Sequence, residues 1–395
     1  MKKLWVVIGM LALVVSCSKL EPAAPAKDKV LDGPVDGLTY AQAAQHGLGD
    51  ADFTGQVFTK ETGLGPIFVA TSCASCHAGD GKGHPFSTLT RFGQIDSTGN
   101  RFLDQGGPQL QDRALPGFQP EQIPAGATSA KFMPPGNTGL GFLELVPDAD
   151  ILSMSDPNDT NGDGISGTPN WNTIPPFVTP APNALTRNGK YICRFGKKAS
   201  VYDLRQQTTN AYNQDIGITS AFEPYDVYSH LEIDPETSTT TINNVVFYLQ
   251  TLKAPVQRDQ SNAEVMAGKQ LFIGINCSGC HKPELRTGAS PVAALNNKTF
   301  APYTDLLLHD MGPGLDDGYT EGNAATSEWR TAPLWGLGLA PGSQGRQYFL
   351  LHDGRAHSIE EAIQMHGGEA GNAKNAFNAL TGSERQKIIT FLKSL

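Results

Sequence analysis

Two five-residue segments, CASCH at residues 73–77 and CSGCH at residues 277–281, constrain this chain more than anything else in it. Each sets two thiols three positions apart and an imidazole directly after the second. Alone, such a segment permits half of a four-thiolate zinc site, a redox-active cysteine pair, or covalent attachment of haem. In the third case two thioethers fix the porphyrin edge and the adjacent histidine supplies the proximal iron ligand. Zinc leaves His77 and His281 unexplained, and the two cysteine pairs lie far beyond usual zinc-ligand spacings. A thioredoxin-like reading lacks the surrounding strand–helix pattern. Repetition of the whole arrangement favours two covalent c-type haems, one on Cys73, Cys76 and His77, the other on Cys277, Cys280 and His281.

The N-terminus speaks to compartment. Lys2 and Lys3 precede an apolar run from Leu4 to Val15, too short to span a bilayer comfortably and typical of a secretory signal. The stretch LVVSC resembles a bacterial lipobox, which makes residues 1–17 the signal and Cys17 the lipidated new N-terminus. Residues 18–45 then read as a tether. The expected location is periplasmic, as a lipoprotein held to the membrane by its lipid. A net charge of −9, with no block of Lys or Arg, argues against a nucleic-acid partner. Only 17 % of residues are charged, against 43 Gly and 27 Pro, so the composition is that of a loop-rich globular protein.

The surroundings of the two motifs repeat as well. AEVMAGKQLFIGIN, with Val265, Leu271 and Phe272, reads as a short amphipathic helix leading into the second motif. Phe53, Val57 and Phe58 play a similar part before the first. Each half closes on an aromatic–aliphatic helix, VVFYLQTL at 245–252 and IITFLKSL at 388–395. The expected fold is therefore mostly α with long irregular loops: two cytochrome c-like haem domains, 46–253 and 262–395, joined at 253–262. Residues 84–240 form a large Gly/Pro-punctuated insertion in the first domain, and a long ordered insertion over a cofactor commonly shapes a pocket.

Both halves, through TSCASCHAGDGKG, NDTNGDGISG, YTDLLLHDMGPGLDD, EWRTAPLWGLG and FLLHDGRAHSIEEAIQMHGGEA, resemble the di-haem cytochrome c peroxidase superfamily over most of residues 50–395. The closest resemblance is to its branch of di-haem peroxidases, also called di-haem (thiol) oxidoreductases. The resemblance implies a peroxide-reactive N-terminal haem. Electrons would enter through the C-terminal haem from a small periplasmic donor of cytochrome c or cupredoxin type, with peroxide or another small oxidant as the second partner. Within HDGRAHSIEEAIQMHGGEA, Ser358 and Glu361 form a capping box that starts a helix at Ile359, with Ile359, Ala362, Ile363 and His366 on one face. In the family this helix carries the distal methionine of the C-terminal haem. Counted from His352, that position falls on His366, which implies a bis-His haem of lower potential than a His/Met one. Met365 and Met311 are reserves.

For the first haem the resemblance implies a carboxylate acid/base, best matched by Glu144, with Gln109 or Gln111 in support. A Glu buried among Phe142, Leu143, Leu145 and Val146 has a raised pKa. His84 is an alternative iron ligand. Calcium is the next implied cofactor: Asp159, Asn161 and Asp163, with Gly164 for the turn, resemble the first half of an EF-like loop without its twelfth-position Glu. The chain also departs from the family. No Trp occurs between residues 6 and 170, where the peroxidases place an inter-haem tryptophan, leaving Trp171, Trp329 and Trp335 as substitutes. Lys197 stands where close relatives have an aromatic, and Cys193 is an unpaired cysteine with a conceivable redox role. Two other functions compete: a non-catalytic di-haem electron-transfer lipoprotein, and oxidation of an organic or thiol substrate.

Overall fold

A computed structural model describes residues 31–93 and 100–395, which form one compact unit from Leu31 to Leu395. The signal segment, Cys17 and residues 18–30 lie outside the described residues. Four helices frame the two motifs, and each begins at a side-chain cap. In α1, Tyr40–Asp50, the Thr39 hydroxyl accepts the Gln42 amide while the Gln42 side chain accepts the Thr39 amide. Ser238 caps α2, Thr239–Thr251, and Asn262 caps α3, Ala263–Gly274. A second capping box, Thr381 with Glu384, starts the C-terminal helix Gly382–Ser394.

These helices pack in two equivalent pairs: α1 on α2, and α3 on the C-terminal helix. Each pair crosses at a glycine. A Cβ at Gly49 would overlap the Asn244 carbonyl, and one at Gly268 would overlap the Lys387 carbonyl, so only glycine admits the close approach. Four residues after each glycine comes a phenylalanine, Phe53 or Phe272. Four residues after each contacted carbonyl comes an aromatic ring, Tyr248 or Phe391. The paired rings lie 5.5 Å and 5.4 Å apart. The repeat inferred from the closing helices is thus present in three dimensions.

Two boundaries differ from expectation. The leading helix of the first half starts at Tyr40, ahead of the expected domain start at 46 and inside the expected tether 18–45. The Val35 amide donates to the Thr251 carbonyl, and Pro34 bridges to Leu252, so this stretch is pinned to α2 rather than trailing free. The two expected domains also share a core. Leu285, Leu295, Phe300 and Leu307 of the second half are buried with Phe53, Leu143, Ile242 and Val245 of the first. The joining segment 253–262 is fixed too, through the Arg258 amide on the Ser394 carbonyl and the Lys253 amide on the Gly33 carbonyl.

Between the helices the chain is irregular, with small antiparallel sheets. In one, β1 (Leu89–Gly93) pairs with β2 (Thr128–Phe132). In another, β3 (Leu308–Asp310) pairs with β4 (Glu328–Arg330), which sets His309 opposite Trp329. No described helix is long and apolar enough to cross a membrane.

Candidate functional site

The two Cys-x-x-Cys-His segments are shaped by different local means to the same end. Ser72 accepts the Ser75 amide at 3.2 Å and starts a one-turn helix, Cys73–Cys76. In the second segment Asn276 takes a left-handed φ of 62° and turns the chain into a tight 3-10 turn, Cys277–Gly279. All four cysteines are free thiols. His77 Nδ1 lies 3.0 Å from the Pro135 carbonyl, and His281 Nδ1 lies 3.0 Å from the Tyr303 carbonyl. A carbonyl only accepts, so both Nδ1 atoms carry the proton and both Nε2 atoms keep a lone pair. Burial pushes both imidazoles down to about 4, which favours the neutral, metal-binding form. Phe53 and Phe272 stand beside them, at 6.1 Å and 6.4 Å between ring centroids. Two free thiols and an imidazole with an uncommitted Nε2 fit a haem in each half.

On the second side, helix Ile359–Met365 starts where the sequence places it, with the Ser358 hydroxyl accepting the Glu361 amide at 3.0 Å. The Glu361 carboxylate, however, accepts the His357 amide at 2.6 Å rather than closing the box on Ser358. The helix stops at Met365, so His366 is not its next turn but its extended C-cap. Its Nδ1 donates to the Ala362 carbonyl at 2.7 Å, which again leaves Nε2 with a lone pair. His366 is near enough to His281 for its charge to disfavour a proton there, and burial pushes its own pKa down.

On the first side, the charge that reaches His77 is that of Lys197. Burial, with the neighbouring Lys82 and Arg330 cations, pushes the Lys197 amine down to about 7. Asp215 acts on the thiols instead: after burial, its carboxylate is the next cause that raises both Cys73 and Cys76. Gln109 is completely engaged in this network. Its amide nitrogen donates to Asp215 Oδ1 and to the Gln214 carbonyl at 3.2 Å, while its oxygen accepts from Arg91 at 3.3 Å. Burial pushes Asp215 up to about 6. A cleft of about 150 Å³ opens on Cys76 and is lined by Lys82, His84, Phe86 and Ser343.

Glu144 and Gln109 lie in separate networks. Glu144 ends the short helix Leu140–Glu144, and both its oxygens accept: one from the Leu204 amide at 2.7 Å, the other from Gln250 Nε2 at 2.7 Å. Burial pushes its pKa up to about 7. His84 caps the turn Pro85–Ser87 by accepting the Phe86 amide at 3.3 Å, and stacks on the Phe86 ring. Gln111 donates to the Gln214 carbonyl at 2.9 Å.

The loop of Asp159, Asn161 and Asp163 spends its oxygens on its own backbone. Asp159 accepts the Gly164 amide, Asn161 the Asp163 amide and Asp163 the Ile165 amide. The Asx-turn reading accounts for each bond shown. Cys193 is 1 % exposed, and burial pushes its thiol up to about 12, far from a reactive thiolate. Among the tryptophans, Trp329 has the Lys198 ammonium 3.9 Å from its ring centroid and the His352 ring stacked on it at 3.6 Å. A cation on its face disfavours removal of an electron from the indole. Trp335 packs on Gly139 from the first half and lies 5.8 Å from Phe300 of the second. Trp171 lies in a sheet opposite Ile192.

Reasoning from sequence missed Asp215 and Lys82 and treated Lys197 only as a departure. It also missed Asp80, whose carboxylate accepts the Tyr248 hydroxyl at 2.9 Å. The position of Asp80, in the same HAGD stretch as His77, is the one signal that could have drawn attention to it.

A family profile described as "Di-haem oxidoreductase, putative peroxidase" matches residues 129–395. No curated protein matches. Among solved structures, hydrazine synthase of Kuenenia stuttgartiensis, pressurised with 20 bar xenon, is similar over 95 % of this chain and 98 % of its own. The identity is 13 % and the TM-score 0.38.

Proposed function

The chain belongs to the di-haem oxidoreductase family, and from that premise we propose that it is a periplasmic, c-type peroxidase that reduces hydrogen peroxide at its first haem. Cys73 and Cys76 would tether that haem and His77 would bind its iron; Cys277, Cys280, His281 and His366 would do the same for the second, through which electrons would enter from a small soluble donor. Haem bound there would supply the electrons for breaking the O–O bond. The observation that carries this reading is an asymmetry in what acts on the two histidines: besides burial and a backbone bond, it is first the His366 imidazole on His281 and the Lys197 amine on His77. In this reading the second haem would be six-coordinate and would pass electrons, and the first would keep a place for peroxide.

Proton transfer between peroxide oxygens calls for a group that titrates near the working pH. Glu144, at about 7, meets that requirement by its pKa and is the acid/base of this reading. Gln109 holds Asp215, whose carboxylate acts on the Cys73 and Cys76 thiols. Calcium at Asp159, Asn161 and Asp163, and lipidation of Cys17, belong to the same reading as a bound ion and a membrane anchor.

Iron coordination in both redox states tests the proposal. The half-reduced protein is expected to contain one high-spin, five-coordinate haem and to turn over peroxide with a reduced donor. Glu144→Ala is expected to slow turnover by 10²–10⁴-fold, the usual share of general acid–base catalysis. His366→Ala should convert the second haem to high spin. Two low-spin irons in both states with inert peroxide would instead make the chain an electron-transfer protein.

A further inference from the structure

Three residues beyond His366, Glu369 sits in the turn Gly368–Ala370 and gathers bonds from two other segments. Its Oε1 accepts the Ser166 hydroxyl at 2.6 Å and the Asp310 amide at 3.1 Å. Its Oε2 accepts the Ser166 amide at 3.0 Å, the Gly167 amide at 3.4 Å and His309 Nδ1 at 2.7 Å. On its other side His309 Nε2 meets Asp305 Oδ2 at 2.9 Å. His309 is 2 % exposed and Asp305 1 %.

An imidazole that faces a carboxylate oxygen at both nitrogens donates from both, so it is an imidazolium between two carboxylates. The triad carries one net negative charge. Burial works against the charges of His309 and Glu369, yet the two carboxylates hold His309 protonated and His309 in turn holds Glu369 down at about 2. The triad also touches the second motif: Cys280 Sγ lies 3.5 Å from His309 Nδ1. Cys280, Asp305 and His309 gather closely enough to suit a metal, but His309 has both nitrogens spent on carboxylates and Cys280 belongs to the haem motif. Gly368 completes the junction. At a φ of 51° it closes on the Asp310 carbonyl, where a Cβ would collide.

We infer that Asp305, His309 and Glu369 form a positioning brace for the second haem, locking the His366 loop onto the Cys280 segment and setting one fixed negative charge beside that haem. The inference rests on His366 as axial ligand. A buried anion favours the ferric over the ferrous state, so the brace lowers the potential of the second haem and leaves the first alone. Positioning residues of this kind orient a ligand without touching the reacting atoms.

The test is Glu369→Gln in the haem-loaded full chain, read by redox titration of each haem and by the ferric low-spin spectrum. Glutamine keeps the shape and one accepting oxygen but removes the charge. The midpoint of the second haem is expected to rise while that of the first stays put and the low-spin signature persists. Glu369→Ala, which also releases Ser166 and Asp310, is expected to add a high-spin fraction at the second haem. An unchanged second-haem midpoint in Glu369→Gln overturns the inference, as does an equal shift at both haems; that variant decides even if Glu369→Ala fails to accumulate. His366→Ala separates the two readings: a second haem that stays low-spin without His366 sinks the axial assignment, while the Glu369→Gln midpoint still reports on the charge.

Discussion

The two halves of the molecule use one scaffold and diverge only past it. Each has a glycine at a helix crossing, a phenylalanine one turn on, an aromatic ring on the closing helix, and a backbone carbonyl that fixes the histidine tautomer. These parts do the same work in both: they hold a neutral imidazole with Nε2 free. What differs is what comes near that imidazole. The second half supplies another histidine and the anionic brace behind it; the first supplies Lys197, Asp215 and a cleft at Cys76. The repeat encodes how each imidazole is held, and the proposed difference in chemistry rests on the departures from it.

The hardest blow to the comparison is dealt at the helix crossings. Gly49→Ala and Gly268→Ala should each destabilise the protein by about 3 kcal/mol, the upper part of the overpacking range, because the obstructing atoms are backbone. That cost outweighs the ~1 kcal/mol gained by replacing a helical glycine with alanine. Chemical denaturation measures it. Similar losses at the two sites support a shared scaffold, whereas tolerance at one site alone breaks the equivalence there.

Much of this scaffold could be read before any coordinates. The duplicated motifs, the closing helices and the helix start at Ile359 are local patterns, and local patterns survive in sequence. The start of α1 is hidden in the sequence because YAQAAQHGLGD has only Tyr40 and Leu48 as large apolar side chains, both exposed, and is fixed instead by the Thr39–Gln42 cap and by Val35 on Thr251, far along the chain. By its spacing His366 belongs on the Ile359 face of that helix, but the chain leaves the helix there and the side chain turns back onto Ala362. The brace was illegible for a plainer reason. Its central bond joins residues 60 apart, and nothing in either segment announces the other.

Tyr248 and Phe391 offer a finer cut, because they occupy matching places with different chemistry. Tyr248 donates to the buried Asp80, while Phe391 has nothing to donate. Tyr248→Phe makes the first half resemble the second and strands a buried carboxylate, at a cost of about 2 kcal/mol. The sign with pH is distinctive. Burial raises Asp80 to about 6 in the folded protein, above its ordinary 3.8, so the stability carried by its neutral form is lost as pH rises between these values. The Tyr248 bond favours the charged form; without it the loss extends to higher pH. The variant should therefore be closer to wild type at pH 4 than at pH 8, and a constant difference across that range would remove Asp80 from the explanation.

Glu144 has no counterpart assigned in the second half, and its burial predicts a slope rather than a step. Its folded pKa of about 7 lies above the ordinary 4.5, so the folded protein binds this proton more tightly. Its share of stability is present below 4.5 and is lost as pH rises through about 7, by at most about 1.4 kcal/mol per pH unit. Glu144→Gln should flatten that share in thermal melts taken across this window. An unaltered slope would mean that another buried acid, such as Asp215, accounts for it.

The smallest effect is expected at Cys193, the one cysteine of the first haem half that lies outside its motif. It is packed with Val178 and Tyr202 in a small apolar cluster, and burial holds its thiol up at about 12. Reaction requires the thiolate and access to it, and Cys193 offers neither. Cys193→Ala should cost about 1 kcal/mol through lost packing and leave both haem spectra and peroxide turnover as they were. An alkylating reagent applied to the native, haem-loaded protein should label Cys193 only as fast as the fold opens. Rapid labelling, or loss of turnover in Cys193→Ala, would move a thiol into the chemistry of the first half and make the two halves differ in mechanism more than the geometry indicates.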